Sequence, residues 1–463
     1  MRRPSISNSW MRLATAGVTA GLVLLAISTP VGAAGGPTLV KDIDPTGSSY
    51  PTELTQVGNT LFFAADDGVH GVELWKSDGT AAGTKMVKDI RPYGRSSNPQ
   101  NLINVGGTLF FTAVDGKHGR ELWKSNGTKA GTVMVKDIVP SCRAGSKDCL
   151  GGLLIDSPVA VGSRLFFFNY VCEACPWILK SDLYVSDGTA AGTKQLAAGE
   201  DFGVASGVEG AAFNGRFYFV SGSETDAGLY AGLWVSDGTQ SGTHALAGSP
   251  SADGIGILPA SGRNLYFMAF PEGVPQLWKT DGTAVGTKPL TTIGELQSEP
   301  RQAVYMAKRL YFDSDYYNAA SDQYYAQVWK TDGTAAGTKP ILAVPAGGYV
   351  LWLTSSGGRL FFTIDSHLWQ SDGTAGGTKE LGQFGTQDPS NLIAVGGELC
   401  FGEMDWSSGT WALWESNGTA AGTYKVHSFV GPTEELQQVS IGSKLFFAAD
   451  DGTHGVELWS YTL

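Results

Sequence analysis

Asn101-Leu102-Ile103-Asn104-Val105-Gly106-Gly107-Thr108-Leu109-Phe110-Phe111-Thr112-Ala113-Val114-Asp115-Gly116-Lys117-His118-Gly119-Arg120-Glu121-Leu122-Trp123-Lys124-Ser125-Asn126-Gly127-Thr128-Lys129-Ala130-Gly131-Thr132-Val133-Met134-Val135-Lys136-Asp137-Ile138 is one unit of a repeat that fills most of the 463-residue chain. It contains four short apolar or β-branched runs separated by glycine-rich turns. Each run has the length and composition of a strand. Four strands repeated every few tens of residues form the pattern of a propeller blade.

The turn before the fourth run is the clearest marker. It recurs at Asp78, Asn126, Asp187, Asp237, Asp281, Asp332, Asp372 and Asn417, each followed by Gly-Thr, two variable residues and Gly-Thr. Asp and Asn cap turns with their side chains, and glycine supplies a positive φ. Recurrence in nearly every unit marks these residues as structural turn residues. Ion binding is the lesser alternative, weakened by Asn at two of the eight positions.

The second run is aromatic in nine units, from Leu61-Phe62-Phe63 to Leu445-Phe446-Phe447. Successive strand residues point to opposite faces, so these strands want neighbours on both sides. The third run supplies Trp75, Trp123, Tyr184, Trp234, Trp278, Trp329, Trp369, Trp414 and Trp459, which read as core between blades rather than as ligand platforms.

Nine second and third runs stand against eight Gly-Thr turns. Leu39-Val40-Lys41-Asp42-Ile43 matches Met86-Val87-Lys88-Asp89-Ile90, so the missing fourth strand lies near the N-terminus. The expectation is an all-β fold: a single propeller of about nine four-stranded blades over 37–463, closed by strand 38–43 completing the last blade. Unit ends fall near 90, 138, 197, 247, 291, 343, 381, 428 and 463. Two smaller rings would need a second offset near the middle, and none is visible.

Arg2, Arg3 and Arg12, the apolar stretch Ala14–Ile27 and the small residues Val31, Ala33 and Ala34 read as a signal peptide over 1–34. The alternative, a membrane anchor, has too short an apolar run. Without this segment the chain carries 29 basic and 44 acidic residues, a net charge of −15. Such a surface repels phosphate backbones, which disfavours nucleic acid and anionic membranes as partners. The reading is a secreted or cell-surface protein with no transmembrane segment after processing.

Glu73-Leu74-Trp75-Lys76-Ser77-Asp78-Gly79-Thr80 resembles the motif of the bacterial ELWxxDGT repeat family, and Glu121–Thr128 departs from it only at Asn126. Other units keep Trp and Gly-Thr but replace the Glu, as at Gln276, Gln327 and His367. The resemblance spans nearly all of the chain after the signal segment. It implies an exported, propeller-like repeat protein and carries no established activity. The turn is also similar to the Asp-box of sialidase propellers, with different spacing.

Three units share a fuller loop between strands two and three: Asp67 to Glu73 with His70, Asp115 to Glu121 with His118, and Asp451 to Glu457 with His454. They belong to the first, second and last blades, which are neighbours in a closed ring. Imidazole and carboxylate gathered on one face would suit a divalent metal or a polar ligand. In the alternative reading each His packs its own turn, since repeats also copy structural residues. No other cofactor is called for.

Cys142, Cys149, Cys172 and Cys175 cluster in the third unit, and export favours disulfides among them, with three connectivities open. A four-thiolate zinc site is the alternative. Cys400 replaces a strand-two aromatic and reads as a buried thiol. No catalytic constellation stands out. The leading function is a non-enzymatic binding or adhesion scaffold for an extracellular protein or glycan. Alternatives are a hydrolase or lyase using a carboxylate, His or metal site, and a self-associating surface or matrix protein.

Overall fold

The alternation of the second strands has the consequence their sequence implies. In the first blade Leu61 and Phe63 pack with Phe446 and Leu458 of the ninth blade. Phe62, on the opposite face, packs with Leu109, Phe111 and Trp123 of the second. Each sheet thus feeds two cores, one on either side. A computed structural model describes residues 35–139, 155–172, 179–197, 210–225, 228–252, 254–260, 262–291, 296, 300, 302–314, 316–318, 320, 322–345, 349–384, 389–405, 407–430 and 437–463.

Among these residues the structure is strands and turns, with two single-turn 3-10 segments, Pro271–Gly273 and Ala420–Gly422. The described residues form a nine-bladed β-propeller. The first blade is Thr52–Val57, Thr60–Asp66, Val72–Ser77 and Lys85–Lys88, paired antiparallel in that order. Seven blades are separate sheets. The eighth and ninth merge into one eight-stranded sheet through the pairing of Val430 with Asp450. Buried clusters join each blade to the next, nine in all, and the ninth joins the last blade to the first.

The ring closes as expected. Thr38–Lys41 pairs antiparallel with Val456–Thr462, setting Thr38 opposite Ser460 and Leu39 opposite Trp459. Val40 and Ile43 then enter the core between blades nine and one. The edge of the last sheet is covered by the strand that precedes the first.

The eight Gly-Thr turns share one geometry, shown by the first. Asp78 Oδ1 accepts from Thr80 N at 2.9 Å and Thr80 Oγ1 at 2.7 Å. Thr80 Oγ1 accepts from Gly83 N at 3.0 Å, and Thr84 Oγ1 donates to Thr80 O at 2.7 Å. Asn126 and Asn417 use their Oδ1 in the same way, which explains why Asn replaces Asp freely. Gly83 is required by close approach, because a Cβ there would overlap the Asp78 carboxyl.

Basic side chains fasten most of these turns to the preceding blade, lysine at several and arginine at Asp237 and Asn417. Lys76 Nζ donates to Gly127 O at 2.6 Å, and Lys88 Nζ to Thr132 O at 2.8 Å while lying over the Trp123 ring. Lys41 and Lys136 repeat the second contact on Thr84 O and Thr193 O. Near the axis, side chains bridge neighbouring first strands: Glu53 N donates to Gln437 Oε1, and Glu53 Oε2 accepts from Leu102 N.

Two outcomes test this architecture. The Thr38 and Ser460 hydroxyl oxygens lie 3.3 Å apart. Oxidised Thr38→Cys/Ser460→Cys should therefore form an intramolecular disulfide and gain up to about 4 kcal/mol against urea, read by non-reducing mass spectrometry and denaturation. In the turn, Asp78→Asn should be neutral, whereas Asp78→Ala should cost about 1 kcal/mol in the same denaturation measurement.

Candidate functional site

Antiparallel succession puts the loops between strands two and three on one face of the ring, with the linkers that pass from blade to blade. The opposite face carries the Gly-Thr turns. On the first of these faces Asp67 closes its own loop, beside Asp66, which accepts from Gly68 N. Asp67 Oδ1 accepts from Val69 N at 3.0 Å and His70 N at 2.8 Å, and its Oδ2 lies 2.7 Å from His70 Nδ1. Asp115 with His118 and Asp451 with His454 repeat the arrangement, with Oδ2 to Nδ1 distances of 2.7 and 2.8 Å.

Burial pushes the Asp67 carboxyl up, but the two backbone N–H groups and the imidazole outweigh it and hold it below its usual value. The hydrogen bond to Asp67 raises His70, and Asp451 does the same for His454. All three histidines remain partly open to solvent, with side-chain exposures of 40, 27 and 37% for His70, His118 and His454.

Beneath these loops lies a second set of carboxyls. Glu73, Glu121 and Glu457 are fully buried, at 0% exposure. Glu73 accepts from Ile90 N, Arg91 N, Ser97 N and Ser97 Oγ, the last at 2.6 Å. Glu457 holds Ile43 N, Asp44 N, Ser49 N and Ser49 Oγ in the linker to blade one. Glu121 accepts from Ile138 N and Val139 N. In these three units the motif Glu is thus the clamp that fixes the outgoing linker. Burial pushes Glu73 and Glu121 up to about 7, against the pull of their N–H and O–H donors.

The structure therefore brings each His to the Asp of its own loop. It does not gather the three histidines into one coordinating group, and the described residues hold no cluster of three His, Cys, Asp or Glu able to hold a metal ion. The eight turn residues Asp78 to Asn417 lie on the opposite face, bonded within their own turns. Trp75, Trp123, Trp329 and Trp459 are buried between blades. Cys400 is a buried free thiol whose burial pushes its pKa up. Cys142, Cys149 and Cys175 lie outside the described residues, as does the 1–34 segment; Cys172 ends the strand Arg164–Cys172.

Two residues on this face escaped the reading of the sequence. Tyr93 is 94% and Tyr50 64% exposed, in the linkers leaving blades one and nine. Both have left-handed backbone, with φ of 75° and 44°. A tyrosine beside glycine or proline in a linker carries no sequence signal of exposure, so only coordinates could single them out.

No protein-family model matches the chain, and no curated protein does. Among solved structures, a eukaryotic initiation factor is similar with a TM-score of 0.50 at 10% identity, over 82% of this chain and 88% of that one. One of two prolyl endopeptidases is similar at 12% identity and a TM-score of 0.45, over 76% of this chain and 54% of that one, so the chain spans about half its length. The β-propeller domain of the Trilobed protease from Pyrococcus furiosus is similar at 12% identity and a TM-score of 0.38, over 67% and 95%. At such identities the likeness is one of fold alone. No helix among the described residues is long and apolar enough to cross a membrane.

The raised carboxyls fix the sign of a pH dependence. Glu73 and Glu121 bind a proton more tightly folded than unfolded, so their stabilising contribution is full below about 4.5 and is lost as pH rises through about 7. His70 and His454, also raised, act in the same direction. The urea midpoint should fall between pH 5 and pH 8, and Glu73→Gln/Glu121→Gln should flatten that slope. A midpoint that rises over this interval would contradict the assignment.

Proposed function

We propose that this chain is an exported, non-enzymatic binding scaffold of the ELWxxDGT-repeat type, recognising its ligand through the face that carries the strand-two-to-three loops and the linkers. The observation that carries this reading is the asymmetry of the two faces. One face repeats a single turn geometry eight times. The other differs from blade to blade, with Asp-His loops in blades nine, one and two and a longer strand-two-to-three hairpin, Arg216–Thr225 with Gly228–Ser236, in blade four. Variable loops on a rigid frame are the arrangement that recognition uses.

The polar groups of that face also favour recognition over turnover. The three aspartates close their own loops, and the three buried glutamates hold linkers. These carboxyls are committed to structure, and a general acid or base needs a proton within reach of a substrate. Export rests on the basic and apolar leader over 1–34, and the four clustered cysteines suit disulfides in that compartment.

The protein purified after export should bind saturably to members of an array of polysaccharides and extracellular proteins, without releasing soluble product from any of them. Steady release of sugar or peptide from an array component would overturn the scaffold reading in favour of a hydrolase or lyase.

A further inference from the structure

Five segments follow one another along the recognition face from blade nine to blade two. The linker into blade one touches the loops on both sides of it. Val456 N donates to Ser48 Oγ, and the Asp44 carboxylate lies against Gly68. The linker into blade two does the same: Val72 N donates to Ser96 Oγ, and the Arg91 side chain lies against Gly116. Loop nine, linker, loop one, linker and loop two therefore form one continuous surface.

The charge of this surface changes sign from end to end. Asp44 of the first linker becomes Arg91 at the same position of the second, each directly after an Ile. Loops nine and one open with Asp450-Asp451 and Asp66-Asp67, whereas loop two opens with Val114-Asp115. Lys117 and Arg120 of loop two stand where loop one has Val69 and Val72 and loop nine has Thr453 and Val456. Arg95 is an extra residue of the second linker, and both Arg95 and Lys117 are exposed. Arg120 Nη1 donates to Asn98 O, which ties loop two to that linker. The His-Asp pair is common to all three loops and drops out of the comparison. The three loops share that pairing while their charges differ, so the backbone does not call for the change of sign. Exposed apolar side chains accompany it. Val69 lies in the middle loop, 70% exposed, and Tyr50 and Tyr93 lie in the two linkers.

We propose that this sector binds a second copy of this chain, through a two-fold axis at the loop of blade one. A surface acidic at one end and basic at the other matches itself after half a turn. Loop nine and the first linker of each copy then face the second linker and loop two of the other. Val69 meets its counterpart, and the linker of Tyr93 meets the linker of Tyr50. Tyrosine and arginine are residues that interfaces favour. Five segments suffice for the roughly 20–30 residues a side of a standard interface. The net charge of −15 after the leader opposes association at long range. Physiological salt screens that repulsion beyond about 8 Å, whereas opposed charges in contact lie inside that distance. A two-fold contact is used up in one pair, so association stops at the dimer. The proposal goes beyond the scaffold reading, and the loops of blades three to eight take no part in it.

Sedimentation velocity on the exported protein at about 100 μM should show twice the chain mass. Arg95→Glu/Lys117→Glu removes the basic end and should weaken the dimer about tenfold or more. Asp66→Lys/Asp450→Lys reverses charge at the acidic end and should do the same. These two aspartates each accept one exposed N–H, from Gly68 and Gly452, so the loops lose little. In a mixture of the two variants one contact keeps its native charges, and the other sets the new glutamates against the new lysines. The mixed dimer should form about tenfold more tightly than either variant alone, a rescue that an unfolded variant could not give. The proposal is overturned by a monomer at that concentration, by higher oligomers, by charge-reversed variants that pair as the parent does, or by a mixture that stays monomeric. The array experiment judges the scaffold reading separately. A dimer that binds nothing on the array loses the scaffold and keeps the interface; a monomer that binds an arrayed component does the reverse.

Discussion

The molecule depends on sheets that are apolar on both faces. Phe62 and Phe63 are adjacent in one strand, yet they belong to different cores, one shared with blade two and one with blade nine. A sheet of this kind left alone would expose aromatic surface on at least one side. Stacking buries both sides, but a linear stack still ends in two bare faces. Closing the stack into a circle removes them, which is why nine clusters serve nine blades.

The polar residues of the repeat follow from that stacking. A turn pressed against its neighbour must satisfy its own backbone groups, and the Asp or Asn oxygen, the two threonines and the close-packed glycine do so locally. The carbonyls left over are reached by lysines of the preceding blade. On the other face a buried glutamate collects the N–H groups of the linker. This buried carboxyl is therefore a connector, and its raised pKa is the cost of placing it where a linker must be held.

This division of labour separates the two faces. Turns that lock blades together cannot vary, so that face is copied. Loops that need only close on themselves can vary, and the His-Asp pairs, the longer blade-four hairpin and the exposed tyrosines all occur there. Sequence logic reached the histidines and held two readings, one grouping them across adjacent blades and one packing each in its own turn. Each imidazole turns to the nearest carboxylate three residues away, because a local hydrogen bond forms with little loss of chain entropy.

The sequence by itself determined the strands, the turn chemistry, the number of blades and the closing role of Leu39 to Ile43. These are written in local patterns, such as a two-residue alternation, a glycine at a fixed offset and a copied strand. Only the tertiary structure decided that Glu73 clamps a linker, that each histidine stays with its own loop, and that Tyr50 and Tyr93 stand in solvent on left-handed backbone. Those facts arise from contacts between segments that are distant in the chain or irregular in backbone. No periodicity encodes them, because they depend on where neighbouring blades and linkers come to rest.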